Sequence, residues 1–158
     1  QTVNPELLLF VEGIENVNGK YYWWGGNHMA TGQNPVRLPT PNHVVYSPHD
    51  YPASVYGQSW FSAANYPNNL PGVWDSYWGY LVKQNIAPVW IGEFGSKLQT
   101  TSDQKWMTTL VSYIVANRLS FAYWCWNPDS GDTGGILADD WTTVNQNKQD
   151  IIGPALAK

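Results

Sequence analysis

Residues 88–95 read PVWIGEFG, and the fold turns on this stretch. Pro88 to Gly92 carries almost no polar side chain, and then Glu93 stands between two glycines, beside Phe94. A carboxylate is rarely buried without a partner, so Glu93 marks either a strand end or a site. Three other runs share the pattern of Ala87–Gly95: Leu7–Gly13 (LLLFVEG), His43–Tyr51 (HVVYSPHDY) and Ser120–Asn127 (SFAYWCWN). None alternates apolar with polar. Nearly continuous apolar runs of this length are strands covered on both faces, as in a parallel sheet. Strands are predicted over 7–12, 44–49, 88–93 and 120–126.

Helical signals lie between these runs. Pro71 suits a first turn, and Val73, Trp74, Tyr77, Trp78 and Leu81 follow at helical spacing. Ser102 is the expected N-cap of a second helix, with Asp103 in its first turn and Trp106, Leu110 and Tyr113 or Ile114 on one apolar face. A third helix is expected within Thr143–Leu156. Gly26 to Pro41 reads as a long irregular connection holding one short helix.

Strands alternating with helices form βαβ units. Four strands cannot close a barrel, and an open sheet of four leaves two edges exposed. Polar and aromatic residues gather at the C-terminal ends of the runs: Glu12, then His49 and Tyr51, then Glu93, then Trp126. That end is where a TIM barrel builds its active site.

The chain has 158 residues, enough for one ordinary domain. Its 8 Lys and Arg against 12 Asp and Glu leave a formal charge of -4, which disfavours a nucleic-acid surface. No apolar stretch approaches the ~20 residues of a membrane helix. The one cysteine, Cys125, excludes an internal disulfide and a cysteine zinc cluster, and reads as a small buried apolar residue. Ten Trp, ten Tyr and four Phe make 15% of the chain, more than its 13% of charged residues. Aromatic faces stack on sugars as well as filling cores, so this balance favours a secreted, sugar-handling protein. The chain starts at Gln1 with no initiator Met or signal-peptide pattern, an end set by processing or by design.

The motifs LLLFVEG, HVVYSPHDYP, VWIGEFG and WCWNPDSGDTGG together resemble family 5 glycoside hydrolases, specifically bacterial secreted endoglucanases. The resemblance runs over almost the whole chain and in the right order. It implies the C-terminal half, strands five to eight, of a TIM (β/α)8 barrel, with residues 1–158 as a single partial catalytic domain. It implies cleavage of β-1,4-glucan with retention, and no cofactor or metal. Glu93 then resembles the nucleophile at the end of strand seven. Tyr51 would donate to the Glu93 carboxylate, and His49 would line the same subsite. Residues i and i+2 share one face of a strand, so His49 and Tyr51 point inward together while Asp50 turns toward structure.

The resemblance makes Trp126 the aromatic platform of the cleavage subsite, and predicts a cis peptide at Trp126–Asn127. Trp124, two residues earlier, is expected in the core. For Trp23, Trp24, Trp60 and Trp141 packing is the better expectation, with Trp24 the candidate for extending the cleft. Asn127 and Asp132, in the loop Asn127–Gly135, offer groups for sugar hydroxyls, although turn formation explains that composition equally well.

A retaining glycosidase needs a second carboxyl, the acid/base, about 5–5.5 Å from the nucleophile. The family carries it in an Asn-Glu-Pro motif on strand four, and here Asn4-Pro5-Glu6 has the wrong order and place. Glu12 falls beside the site rather than in it. The chain therefore reads as the nucleophile half of an endoglucanase site, with a non-catalytic β-glucan-binding half-barrel as the alternative. Its partners would be β-1,4-glucan and either the missing N-terminal half or a second copy of the chain. In a two-fold pair of copies the two Glu93 carboxylates would stand diametrically opposite, so such a dimer is expected to hydrolyse glucan poorly.

Overall fold

The structure is a computed structural model in which residues 1–156 are described. It begins with β1 (Leu9–Val11), followed by a hairpin of β2 (Asn16–Val17) and β3 (Lys20–Tyr21). The hairpin was not among the expected elements. Its two turn residues, Asn18 and Gly19, both have positive φ, at 51° and 79°, which makes a type I′ turn of Asn-Gly chemistry. After a long turn-rich connection come β4 (Val44–Tyr46) and β5 (His49–Asp50). The next elements are α1 (Leu70–Trp74) and α2 (Tyr80–Lys83), made continuous by one π turn over Asp75–Gly79. The chain closes with β6 (Trp90–Ile91), β7 (Glu93–Phe94), α3 (Thr101–Asn117), β8 (Ser120–Phe121) and α4 (Gln146–Leu156).

The four apolar runs pair in parallel and in chain order. β1 pairs with β4, β5 with β7 and β6 with β8, and a parallel bridge from Tyr46 to Val89 joins the second run to the third. The regular strands are shorter than the predicted runs: β1 and β6 begin two residues late, and the second and third runs are interrupted at residues 47–48 and at Gly92. Backbone hydrogen bonding nevertheless continues beyond β8, from Ala122 N–H to Ile91 and from Trp124 N–H to Phe94.

Two expectations about helices need correcting. No helix follows the first strand: residues 12–43 hold only the hairpin and turns, not even the one short helix. Pro35, Pro39 and Pro41 each remove a backbone donor, and Gly25, Gly26 and Gly32 weaken any helix further. The N-cap of α3 is Thr100, not Ser102. The Thr100 hydroxyl accepts the Asp103 N–H at 3.0 Å, while the Ser102 hydroxyl is spent on Tyr66. The predicted face of α3 is correct, with Trp106, Leu110, Tyr113 and Ile114 all buried. α4 starts at Gln146, within the expected segment, and packs against α3.

Aromatic residues fill the layer between the strands and the helices. Trp74, Trp78 and Trp106 are fully buried, with Leu70, Leu81, Leu110 and Ile114 among them. Each indole removes ~150–250 Å² from water, roughly 4–6 kcal/mol of transfer free energy before conformational costs. The first run is different: Leu7, Leu8, Leu9 and Phe10 are all exposed, and Phe10 meets Trp90 edge-on at 5.6 Å.

Candidate active site

Parallel register sets the site. β5 and β7 align His49 with Glu93 and Asp50 with Phe94. Alternation then puts His49, Tyr51 and Glu93 on one face, and Asp50 and Phe94 on the helix-covered face. The Tyr51 hydroxyl donates to Glu93 Oε2 at 2.6 Å, and His49 Nδ1 lies 3.4 Å from the same oxygen. His49 Nε2 lies 3.6 Å from Glu12 Oε1, so the imidazole stands between two carboxyl groups. Glu12, expected beside the site, is therefore in contact with one of its members. Burial, and then the neighbouring Glu93 carboxylate, push the Tyr51 phenol well above its ordinary pKa. It stays a neutral donor.

No hydrogen bond from the described residues reaches Glu93 Oε1. Glu93 thus carries one hydrogen-bonded carboxylate oxygen and one that receives no hydrogen bond from the described residues. No group of three or more His, Cys, Asp or Glu suited to a metal is found among the described residues.

The end of the fourth run corrects three expectations. The non-proline cis peptide lies at Trp124–Cys125, not at Trp126–Asn127. Trp124 is not core: it is 45% exposed. Phe94 and Tyr123 pack together at 5.3 Å on the helix side, so alternation turns Trp124 toward the face that carries Glu93. Its amide bonds to the carbonyl of Phe94, the residue after Glu93, at 2.8 Å. Cys125 is only partly buried, because the chain turns outward there and its thiol donates to the Asn127 carbonyl at 3.2 Å. Gly95 permits this arrangement, since a Cβ there would fall 1.8 Å from the Trp124 carbonyl oxygen.

The other expected contributors divide. Trp126 is 66% exposed, and its carbonyl is tied to the Leu137 amide at 3.0 Å, farther out in the loop. Trp24 is exposed on one side and lies against Tyr51, ring centroids 5.1 Å apart. Asn127 Oδ1 is engaged by the Asp129 N–H, as turn formation requires. Asp132 accepts from the Ser130 hydroxyl, and its charge reaches Tyr51. The loop is held from below by the buried Lys148, whose Nζ donates to the Thr133 and Gly135 carbonyls at 2.9 and 2.8 Å. Trp23 is wholly buried and Trp60 packs in the core, whereas Trp141 is exposed. Glu6 sits in an exposed turn closed by Asn4 Oδ1.

A groove of about 760 Å³ opens elsewhere, between Val44 and Pro88 at the N-terminal ends of the strands. It is remote from this chemistry.

Residues 1–130 match the family model for cellulase (glycosyl hydrolase family 5). The chain is 54% identical over 157 residues to an endoglucanase of Paenibacillus polymyxa, covering 96% of this chain and 40% of that protein. It is 38% identical over 158 residues to a major extracellular endoglucanase of Xanthomonas campestris pv. campestris, covering 95% of this chain and 32% of that protein. A solved complex of the Pyrococcus horikoshii endocellulase with cellotetraose superposes with a TM-score of 0.88 at 41% identity, covering 98% of this chain and 45% of that one. The chain thus spans about a third to just under half of the length of the proteins it resembles. On the family match and these identities, the chain belongs to glycosyl hydrolase family 5, the cellulases.

Proposed function

We propose that this chain is strands five to eight of a (β/α)8 endo-β-1,4-glucanase and supplies the nucleophile side of its active site. The observation that carries the reading is the Glu93 carboxylate, hydrogen-bonded at Oε2 by Tyr51, with His49 Nδ1 3.4 Å from that oxygen and no hydrogen bond to Oε1 from the described residues. In retaining hydrolysis Oε1 attacks the anomeric carbon as the glycosidic C–O bond breaks, giving a glycosyl ester that water then cleaves. Tyr51 and His49 orient the carboxylate and line the sugar subsite, and Trp24 and Trp124 offer faces for the ring. The proton for the leaving oxygen comes from an acid outside this chain. Glu6 is remote and exposed, and Glu12 is committed to His49.

The occupant of the exposed inner face is the remaining strands of the barrel. Leu8 and Phe10, which alternation puts on one face of the first run, are exposed apolar side chains that eight-stranded closure would cover. At ~25 cal/mol per Å², several hundred Å² of such surface favour association by many kcal/mol before entropic costs. The chain alone should therefore self-associate, and as a homodimer it should hydrolyse glucan poorly. The extracellular relative supports a secreted setting.

The test combines the chain with the complementary N-terminal half and measures turnover of a soluble β-1,4-glucan, with and without Glu93→Gln. Restored turnover that Glu93→Gln abolishes is the expected result. A combination that binds glucan but never cleaves it would favour the second reading, a non-catalytic β-glucan binder. That reading draws on the exposed faces of Trp24, Trp126 and Trp141.

A further inference from the structure

Asp50 shares a strand with His49 and Tyr51 but faces away from the reaction. Its residue is 2% exposed, and its carboxylate accepts four hydrogen bonds. Oδ1 takes the Tyr22 hydroxyl at 2.5 Å and the Trp23 Nε1–H at 2.9 Å. Oδ2 takes the Nε1–H groups of Trp74 at 3.0 Å and Trp106 at 2.7 Å. The donors come from three places: the segment after β3, helix α1 and helix α3. Among the described residues no salt bridge reaches Asp50.

The chemistry of this set is one-sided. An indole N–H donates and cannot accept, while a carboxylate offers about four acceptor sites, all of which are filled here. A proton on Asp50 would need an acceptor, and only Tyr22 could serve. The Tyr22 oxygen already takes the Trp78 Nε1–H at 3.2 Å. An amide at position 50 would turn its NH2 either against the Trp74 and Trp106 N–H groups or against the Trp23 N–H, with only the Tyr22 oxygen able to accept from it. Burial pushes the Asp50 carboxyl up and the four donors pull it back, leaving it at about 6. The titratable groups around it are Tyr22, Tyr66, whose phenol feels both Asp50 and Asp103, and His49 and Tyr51 on its own strand. Tyr22 and Tyr66 are raised by burial and remain neutral throughout the range where Asp50 titrates.

The set reaches the site through Trp23. That indole, fixed on Asp50 Oδ1, stands edge-on to Tyr51 at 6.0 Å and to Trp24 at 6.2 Å. We propose that Asp50 is a positioning residue for the nucleophile: as an anion it locks Trp23, and through Trp23 the Tyr51 phenol, in the orientation that leaves Glu93 Oε1 free. This rests on the reading of Glu93 as nucleophile and deepens it.

Two measurements test it. In the chain labelled with 15N at its indoles, the Nε1–H resonances of Trp23, Trp74 and Trp106 should shift together, with one midpoint near pH 6. In the barrel completed with its N-terminal half, Glu93 should be labelled by a 2-deoxy-2-fluoro-cellobioside bearing dinitrophenolate, a group that departs without an acid. The labelling rate should fall below the same midpoint while the inhibitor's binding constant stays nearly constant. Asp50→Asn should erase the midpoint and slow labelling roughly ten- to a hundredfold. Tyr22→Phe, which removes one donor and leaves the anion, should keep most of the rate and raise the midpoint. Labelling of Asp50→Asn at the wild-type rate would overturn the proposal. If that variant does not fold, a wild-type labelling rate with no inflection where the indoles titrate overturns it instead. Absence of Glu93 labelling in the wild type at every pH, with the indole titration intact, would remove the nucleophile reading first and this proposal with it.

Discussion

The Tyr51 hydroxyl and the Glu93 carboxylate meet at 2.6 Å, and His49 approaches the same oxygen at 3.4 Å. The two oxygens of Glu93 are therefore inequivalent. Tyr51→Phe should leave the strand pairing intact and release Oε2. A hydrogen bond to a charged group contributes about 1.5–3 kcal/mol, so turnover of the completed barrel should fall roughly ten- to a hundredfold. Steady-state kinetics on a soluble glucan measures this, and an unchanged kcat would remove Tyr51 from the role.

Two buried groups give the fold opposing pH dependences. Burial, helped by the nearby His49, lowers His28 from 6.5 to about 4. The unfolded chain then binds a proton that the fold refuses, so stability present above pH 6.5 is lost as the pH falls toward 4. Asp50 is raised from 3.8 to about 6, mainly by burial, so its contribution is present below pH 3.8 and lost as the pH rises through 6. Each shift is worth on the order of 3 kcal/mol. His28 has an unpartnered Nε2, and His28→Leu should remove its slope. Urea midpoints of that variant should decline between pH 4 and 6, where the wild type is flatter. Parallel curves for the two proteins would contradict this.

Gly95 allows the Trp124 carbonyl to pass where a side chain would stand. Gly95→Ala places a methyl against fixed backbone, and the strand ends must part. The expected outcome is a loss of stability of several kcal/mol or failure to fold, read by thermal melting. A variant melting within a few degrees of wild type would show that this approach can relax.

Trp124 and Trp126 lie two residues apart, and it is Trp124 whose amide bonds to Phe94, the residue after Glu93, while the Trp126 carbonyl is tied to Leu137. Trp124→Ala should weaken oligosaccharide binding to the completed barrel more than Trp126→Ala does, by about 1–2 kcal/mol. That is the scale of removing part of a buried aromatic contact. Calorimetric titration with cellotetraose compares them, and the reverse order would return the platform to Trp126.

Much of this protein is legible because its signals are local. Period and apolar run length reveal the four strands and the face of α3, since burial on both sides of a parallel strand excludes polar residues from the whole run. The spacing of His49 and Tyr51 puts them on one face through strand geometry alone. Two local signals went unread. Asn18-Gly19 specifies the hairpin turn, and the prolines of 35–41 exclude a helix after the first strand.

Other features depend on atoms distant in the chain, and tertiary structure alone decided them. Trp124 and Trp126 present equivalent indoles to a sequence reading. Which one faces the site depends on where the backbone turns against Gly95, thirty residues away. Asp50 reads only as a residue facing away from the site. Its four hydrogen bonds come from positions 22, 23, 74 and 106, brought together by packing of the hairpin exit and two helices. No periodicity encodes such a set, because each donor is selected by its direction in space and not by its neighbours along the chain.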